Sequence, residues 1–269
     1  MRSIYLFIFI VFFTYNAKAQ EIYISSGKNT TNFDYQSSNG TDENLNFRSG
    51  TGNYFEVGYA HGLINYKLLY SIGFTYNEYN SKASNLSTNY SWKTKYLGIT
   101  NKISYNLSKE YSECSHYGSG LRTFLSIGFT YNEYNSKASN YATNYSWKTK
   151  YLGITNKISY NLSKEYIECS NYGSGLRTFI SVGFNTSRLT SGEQYINNYY
   201  YNLFGTEDFS GIIIQPFAGI NSQYNISRNF KITMGYNFSK SFALLNDSDE
   251  KISFNNHQFQ LGFQISILR

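Results

Sequence analysis

Ser71-Ile-Gly-Phe-Thr-Tyr-Asn-Glu-Tyr-Asn80 opens a stretch that the chain writes a second time, 55 residues on, from Ser126-Ile-Gly-Phe-Thr-Tyr-Asn-Glu-Tyr-Asn135. Residues 71–125 and 126–180 differ at five positions: Leu86/Tyr141, Ser87/Ala142, Ser112/Ile167, His116/Asn171 and Leu125/Ile180. A third start, Ser181-Val-Gly-Phe184, dissolves into different sequence. This is a tandem duplication with little divergence, set inside a longer chain. A solenoid would need three or more comparable units to bury a continuous core.

The content of the unit decides the fold. Leu68, Tyr70, Ile72, Phe74 and Tyr76 alternate with Lys67, Leu69, Ser71, Gly73, Thr75 and Asn77. Period two places one set on each face of a β-strand. A polar tract, Asn77 to Asn89, reads as a loop, and then Leu97, Ile99, Ile103, Tyr105 and Leu107 alternate with Gly98, Thr100, Lys102, Ser104 and Asn106. Each unit is therefore strand, loop, strand and connector. Copying it adds two strands, so every later strand keeps its direction and its faces. An antiparallel up-and-down barrel or meander tolerates that insertion.

The rest of the chain agrees. Arg2, the apolar run Ile4 to Phe13 and the small-x-small site Ala17-Lys18-Ala19 predict a signal peptide over 1–19, cleaved before Gln20. The apolar run is too short for a membrane-spanning helix. Residues 20–269 then form one barrel domain, with no Pro/Gly/Ser-rich linker and one proline in the chain. Aromatics reach 19 %, with 29 Tyr and 21 Phe, yet mean hydropathy is negative. Aromatic surface without aliphatic bulk suits a transmembrane barrel with an apolar, aromatic-girdled exterior and a polar lumen. A secreted soluble β-sandwich has the same alternation and is the competing architecture.

Ten strands are expected, near 21–33, 48–61, 65–79, 90–107, 121–134, 145–162, 176–189, 209–226, 229–244 and 252–268. Pro216 removes a backbone donor and predicts a bulge or strand end in the eighth. With the first strand entering from the periplasm, outer loops fall at 34–47, 80–89, 135–144, 190–208 and 245–251. Inner turns fall at 62–64, 108–120, 163–175 and 227–228.

The signal peptide, the opening Glu21-Ile-Tyr-Ile-Ser-Ser-Gly-Lys28, Asn53-Tyr-Phe-Glu-Val-Gly-Tyr59 and the closing Phe254-Asn-Asn-His-Gln-Phe-Gln-Leu-Gly-Phe263 resemble the small outer-membrane β-barrel proteins of Bacteroidetes-type bacteria, a group similar to the OmpA membrane domain and OmpX. The resemblance is one of texture across the mature chain. It implies eight strands, so ten would be eight plus the duplicated hairpin. It also implies folding by the barrel-assembly machinery, although the usual terminal aromatic is replaced by Leu268-Arg269.

Little in the sequence carries chemistry. Cys114 and Cys169 hold the same place in the two repeats. In an oxidising compartment they can form a disulfide, and copying one thiol accounts for both equally well. They are too few for a metal site. His61 and His116 map to the inner side, and His257 begins the last strand without an obvious partner, on the rim of Asp247, Asp249 and Glu250. No nucleophile elbow or phosphate loop is present. Neither catalytic nor cofactor-binding nor metal-ligating residues are assigned, and the protein is expected not to be an enzyme.

The formal charge of +6 becomes +4 when Arg2 and Lys18 leave with the signal peptide. The cations are scattered, with Lys93, Lys95 and Lys102 repeated at 148, 150 and 157, whereas nucleic-acid binding concentrates them in a patch. The expected partners are outer-membrane lipid and lipopolysaccharide, the latter touched by Lys93 and Lys95. Three roles follow: a structural or surface-interaction barrel of the outer membrane, a narrow porin-like conduit, and a soluble secreted binding protein.

Overall fold

The computed structural model describes residues 20–36, 46–64, 68–84, 89–107, 123–139, 144–162, 176–197, 199–205, 211–227, 229–244 and 251–268. The strands are β1 (Gln20–Gln36), β2 (Asn46–Ile64), β3 (Leu68–Ser84), β4 (Asn89–Asn106), β5 (Thr123–Ser139), β6 (Asn144–Asn161), β7 (Leu176–Ile196), β8 (Tyr199–Asn202), β9 (Ile212–Asn225), β10 (Phe230–Leu244) and β11 (Lys251–Leu268). Each pairs antiparallel with its neighbours. β1 pairs with β11 and β6 with β7, closing ten strands into a barrel, while among the described residues β8 pairs with β7 alone. Both repeats lie in the wall, as β3 to β6 and the start of β7.

The pairing register sets the barrel's size. A path across the strands from Ile22 passes Tyr59, Ile72, Asn101, Phe129, Ile154, Thr186, Ile214, Phe242 and Ser253, and returns to β1 at Asp34, twelve residues further along. With strands about 4.8 Å apart and a rise of about 3.3 Å per residue, that stagger tilts them by about 40° around a backbone cylinder of about 10 Å radius.

Side chains sort by face as the alternation predicts. Exposed apolar residues include Ile22 and Ile24, Phe74, Leu97 and Ile103, Ile127 and Phe129, Leu152 and Ile158, Val182 and Phe184, Ile220, Met234, and Phe259 to Ile267 at alternate positions. They form one continuous belt near the end of the barrel where Gln20 and Leu268 pair. About ten residues of each strand lie in it, a height of about 25 Å at this tilt, which is the thickness of a lipid-facing barrel band. Tyrosines mark both margins: Tyr59, Tyr70, Tyr105, Tyr160 and Tyr224 toward the termini, and Tyr76, Tyr131 and Tyr236 at the far margin. Such girdles form because an aromatic ring with a polar tip sits well between lipid and water.

Above the far margin the strands continue. The stretches 80–89 and 135–144, expected to be loops, are mostly strand: β3 pairs with β4 up to Ser84–Asn89, and β5 with β6 up to Ser139–Asn144. Their polarity on both faces hid them, because beyond the apolar band neither face has to be apolar. The 190–208 stretch likewise holds the end of β7 and the whole of β8. β2 runs on to Ile64, through the expected turn at 62–64. Pro216 neither bulges nor ends β9. The register with β10 is the same on both sides of it, Phe217 facing Ser239 and Ile214 facing Phe242, and only the rungs between are skipped.

Candidate functional site

The lumen is polar near the termini and aromatic at the far margin. Near the termini, Lys231 of β10 reaches across β11 to Glu21 of β1, with Nζ 2.6 Å from Oε1. Glu21 also accepts from the Gln264 amide and, at 3.2 Å, from the Ser266 hydroxyl. Higher up, the Tyr54 hydroxyl donates to Glu56. Tyr23 also reaches Glu56, because its ring lies across Gly58 and Gly73, which face each other on β2 and β3. A Cβ on Gly58 would stand 2.2 Å from Tyr23 Cζ, so only glycine leaves room for that ring. Amide and hydroxyl pairs fill in between, such as Asn29 to Asn77 at 3.1 Å, Thr31 to Asn256 at 3.2 Å and Gln260 to Asn221 at 2.8 Å. Buried polar groups satisfied in this way hold a barrel interior in one arrangement.

At the far margin four tyrosines stand side by side on the inner wall. Ring centroids are 6.3 Å apart for Tyr79 and Tyr96, 5.0 Å for Tyr96 and Tyr134, and 5.4 Å for Tyr134 and Tyr151, all edge to face. Phe254 joins one end, 5.7 Å from Tyr79. At the other end Tyr151 packs with Leu189 and Leu203, and Tyr134, Trp147 and Ile213 pack around them. This layer crosses the lumen from β11 to β9. Tyr134 and Tyr151 are the duplicated copies of Tyr79 and Tyr96, so the second hairpin supplies half of the ladder.

Outside the wall, the same level carries charge. Glu78, Lys95, Glu133 and Lys150 follow the last apolar outward position of their strands, and Lys28, Arg188 and Lys240 lie further along theirs, Lys240 with Phe242 beyond it. The Tyr76 hydroxyl, 2.6 Å from Glu78, holds that carboxyl below its ordinary range, with help from the Asn53 amides and the Lys95 charge. Lys148 lies 3.7 Å from Glu133. Further out, Arg48, Lys82, Lys93 and Lys137 are exposed. Among the described residues, cations outnumber carboxylates on this outer surface.

Another feature of the far end is the β7–β8 hairpin. Its turn residue Asn197 adopts a left-handed φ of 46°, as a two-residue hairpin turn requires. Asn197 is tied to the start of β6: its backbone N donates to the Asn144 carbonyl at 3.0 Å, and its side-chain oxygen accepts from Asn144 N at 2.9 Å. At the foot of the hairpin Leu203 is 4 % exposed and its N donates to the Gly192 carbonyl at 2.9 Å. Gly192 admits this contact, since a Cβ there would lie 2.9 Å from Leu203 Cβ.

Among the described residues, those singled out by sequence do not converge. His257 is not at the start of its strand but well inside β11. It faces outward, and its Nδ1 lies 2.8 Å from the Tyr236 hydroxyl, a cross-strand diagonal that sequence spacing alone does not show. His61 is buried at the end of β2, beside Tyr59. Cys114, Cys169, His116, Asp247, Asp249 and Glu250 lie outside the described residues, as does the 1–19 segment. Lys93, Lys95, Lys148 and Lys150 face out, whereas Lys102 and Lys157 face the lumen. Among the described residues no group of three or more His, Cys, Asp or Glu side chains is placed to hold a metal. Sequence reading missed a polar pair in the lipid-facing band: the Tyr70 hydroxyl donates to Asn101 at 3.0 Å, beside a groove of about 390 Å³ lined by Ile103, Leu125 and Phe129.

No protein-family model and no curated protein matches the chain. Solved structures do. The outer membrane protease OmpT from Escherichia coli is 10 % identical, with 93 % of this chain and 97 % of that chain covered and a TM-score of 0.54. The translocator domain of the autotransporter NalP from Neisseria meningitidis is 11 % identical, with 93 % and 89 % covered and a TM-score of 0.49. The attachment invasion locus protein Ail of Yersinia pestis is 10 % identical, with 92 % and 99 % covered and a TM-score of 0.30. The chain is a closed ten-stranded antiparallel barrel of the outer-membrane type.

Proposed function

We propose that this protein is a non-enzymatic, non-conducting barrel of the bacterial outer membrane whose far end is a surface for interaction outside the cell. The observation that carries the reading is the tyrosine layer, which lines the lumen with aromatic rings at the level where the outer wall changes from apolar to charged. An entering solute or substrate meets rings there, while the strands that continue above it hold up a wall and loops. The far end is taken as the outer one because both termini lie at the other end, the arrangement expected of bacterial single-chain barrels. The two short inner turns, between β2 and β3 and near 227–228, and the strand extensions above the band support the same orientation, whereas the inner connections of the duplicated unit, near 108–120 and 163–175, are longer than that pattern. On this reading export uses the 1–19 signal peptide, insertion uses the barrel-assembly machinery, and the cationic outer belt meets the phosphates of lipopolysaccharide. A kinship with the OmpA membrane domain and OmpX group belongs to the same proposal.

The test is fractionation and gel mobility, followed by planar-bilayer recording of the detergent-extracted protein. The expected result is recovery with the outer membrane, a mobility shift on boiling and no reproducible single-channel current. Steady conductance would replace this reading with a narrow porin-like conduit. Recovery as a soluble protein without a shift would remove the membrane altogether.

A further inference from the structure

We propose that the free edge of β8 is a docking site for an extended peptide segment of another protein, which adds to it as a strand. The inference rests on the outward orientation proposed above. β8 ends the hydrogen-bonded order of the sheet, pairing with β7 on one side and with none of the described residues on the other. The parity of its main chain follows from the bond from Leu203 N to the Gly192 carbonyl. In an antiparallel ladder alternate residues turn their N–H and C=O to the same side. Tyr199 and Tyr201 therefore share Leu203's direction, toward β7, and Tyr200 and Asn202 present theirs at the open edge.

An unpaired edge is normally blunted by charge, proline or a bulge, because it templates pairing with another chain. Apart from its shortness, Tyr199-Tyr-Tyr-Asn202 has none of these within it, and across the ladder Glu193 faces Asn202 and Gln194 faces Tyr201. Both faces of the strand are in solvent, with Tyr199, Tyr200 and Tyr201 exposed by 73 %, 56 % and 49 %. Successive rings point to opposite faces, so an added strand would find aromatic side chains above and below it. This is strand addition, in which main-chain bonds supply affinity and side chains between them supply selectivity. A glycan would use the rings and leave the edge unsatisfied, and the two together favour a peptide.

The edge is also held in place before any partner arrives. Leu203 anchors one end in the Tyr151–Leu189 cluster, and the reciprocal Asn197–Asn144 bonds fix the other. Tyr195 and Tyr200 pack edge to face across the hairpin with centroids 5.5 Å apart. A preformed strand loses little conformational freedom on binding, which favours affinity in a short site.

The probe is a synthetic peptide of the sequence Gly-Glu-Gln-Tyr-Ile, copying Gly192–Ile196, the segment β8 already pairs with on its other side. Full-length protein in micelles is exposed to it at up to millimolar concentration, and amide hydrogen exchange is read residue by residue. Without peptide, Tyr200 and Asn202 should exchange at least tenfold faster than Tyr201 and Leu203. With peptide, Tyr200 and Asn202 should slow at least tenfold, and a peptide N-methylated at alternate amides should have no effect. Tyr200→Ala keeps the edge but removes a flanking ring, and should weaken binding about tenfold. The proposal is overturned if Tyr200 and Asn202 are already protected in the free protein, as a second copy seated on the edge would cause. It is equally overturned if the peptide leaves them unprotected, or if neutral oligosaccharides bind through the tyrosines with no change at these amides. A conducting barrel would defeat the proposed function above without altering these exchange rates, so the two fail separately.

Discussion

Met234 sits at the middle of the apolar stretch of β10, between Ile232 and Tyr236 on the outward face, and is 63 % exposed. Its medium decides what Met234→Arg does. On a wall facing water, an exposed substitution away from any special contact changes stability by about 0.5 kcal/mol or less. On a wall facing hydrocarbon, arginine near the midplane of a barrel costs about 2–4 kcal/mol. Neighbours across the ladder, Leu261 on β11 and Ser222 on β9, offer no carboxylate that would soften the charge. The predicted loss is therefore a fall of roughly 30- to 700-fold in the folding equilibrium. The same substitution at Asn53, just above the band, should cost about 0–1 kcal/mol, because the penalty fades toward the interface. Denaturant titration of the barrel in phospholipid vesicles, followed by tryptophan emission and by mobility on unboiled gels, measures both. Equal and small effects at 234 and 53 would refute the lipid-facing assignment of the belt.

Three further outcomes follow from particular contacts. Gly58→Val should displace the Tyr23 ring and destabilise the barrel by about 1–3 kcal/mol, in the same titration, while Gly205→Val, with nothing near its Cβ position but a positive φ, should cost less and act locally. Lys231→Ala should cost about 3 kcal/mol by stranding Glu21 in the lumen, and a double-mutant cycle with Glu21→Gln should show most of it recovered. Leu125→Tyr should stabilise by about 0.5–1 kcal/mol, since Leu125 stands toward Asn156 as Tyr70 stands toward Asn101, and an Asn156→Leu background should abolish the gain.

The barrel and its sidedness were legible because lipid on one face and packed polar groups on the other impose strict alternation. Phe230 to Ser239 and Phe259 to Ser266 show it residue by residue, and the structure puts them where the pattern does. Legibility ended where that constraint ended. Above the far margin Asn77 to Ser84 is strand without apolar alternation, held by a continuous backbone ladder to β4 that a composition-based reading takes for a loop. The tyrosine layer escaped for a related reason. Tyr79, Tyr96, Tyr134 and Tyr151 come from four strands, and only the register brings their rings together. The signal that could have found them was parity: each falls on the polar phase of its strand, where an aromatic residue has to be explained by something inside the lumen. The Tyr236–His257 contact and the β7–β8 hairpin had no such signal. One is a cross-strand diagonal, and the other depends on an asparagine turn and a single buried leucine.

The duplication explains why the copied residues remained useful in their new positions. A hairpin adds strands in pairs, so inward residues stay inward, and copies of a side chain recur two strands away at the same height. Tyr79 and Tyr134 are such a pair, as are Tyr96 and Tyr151, and their interleaving turns two rings into a ladder of four. The wider lumen that two more strands enclose thereby gains half of its aromatic wall from the same insertion that widened it. Features built with residues outside the unit were not reproduced. Asn101 takes its hydrogen bond from Tyr70, which precedes the first repeat, and the equivalent of Tyr70 for Asn156 is Leu125. Glu56 also lies outside the unit, so the luminal lysine at 102 was doubled at 157 while the carboxylate was not. The copied hairpin thus inherits what its own two strands encode, a lipid-facing band and an inner aromatic wall, and lacks the polar partnerships that the original hairpin makes with β2 and the start of β3.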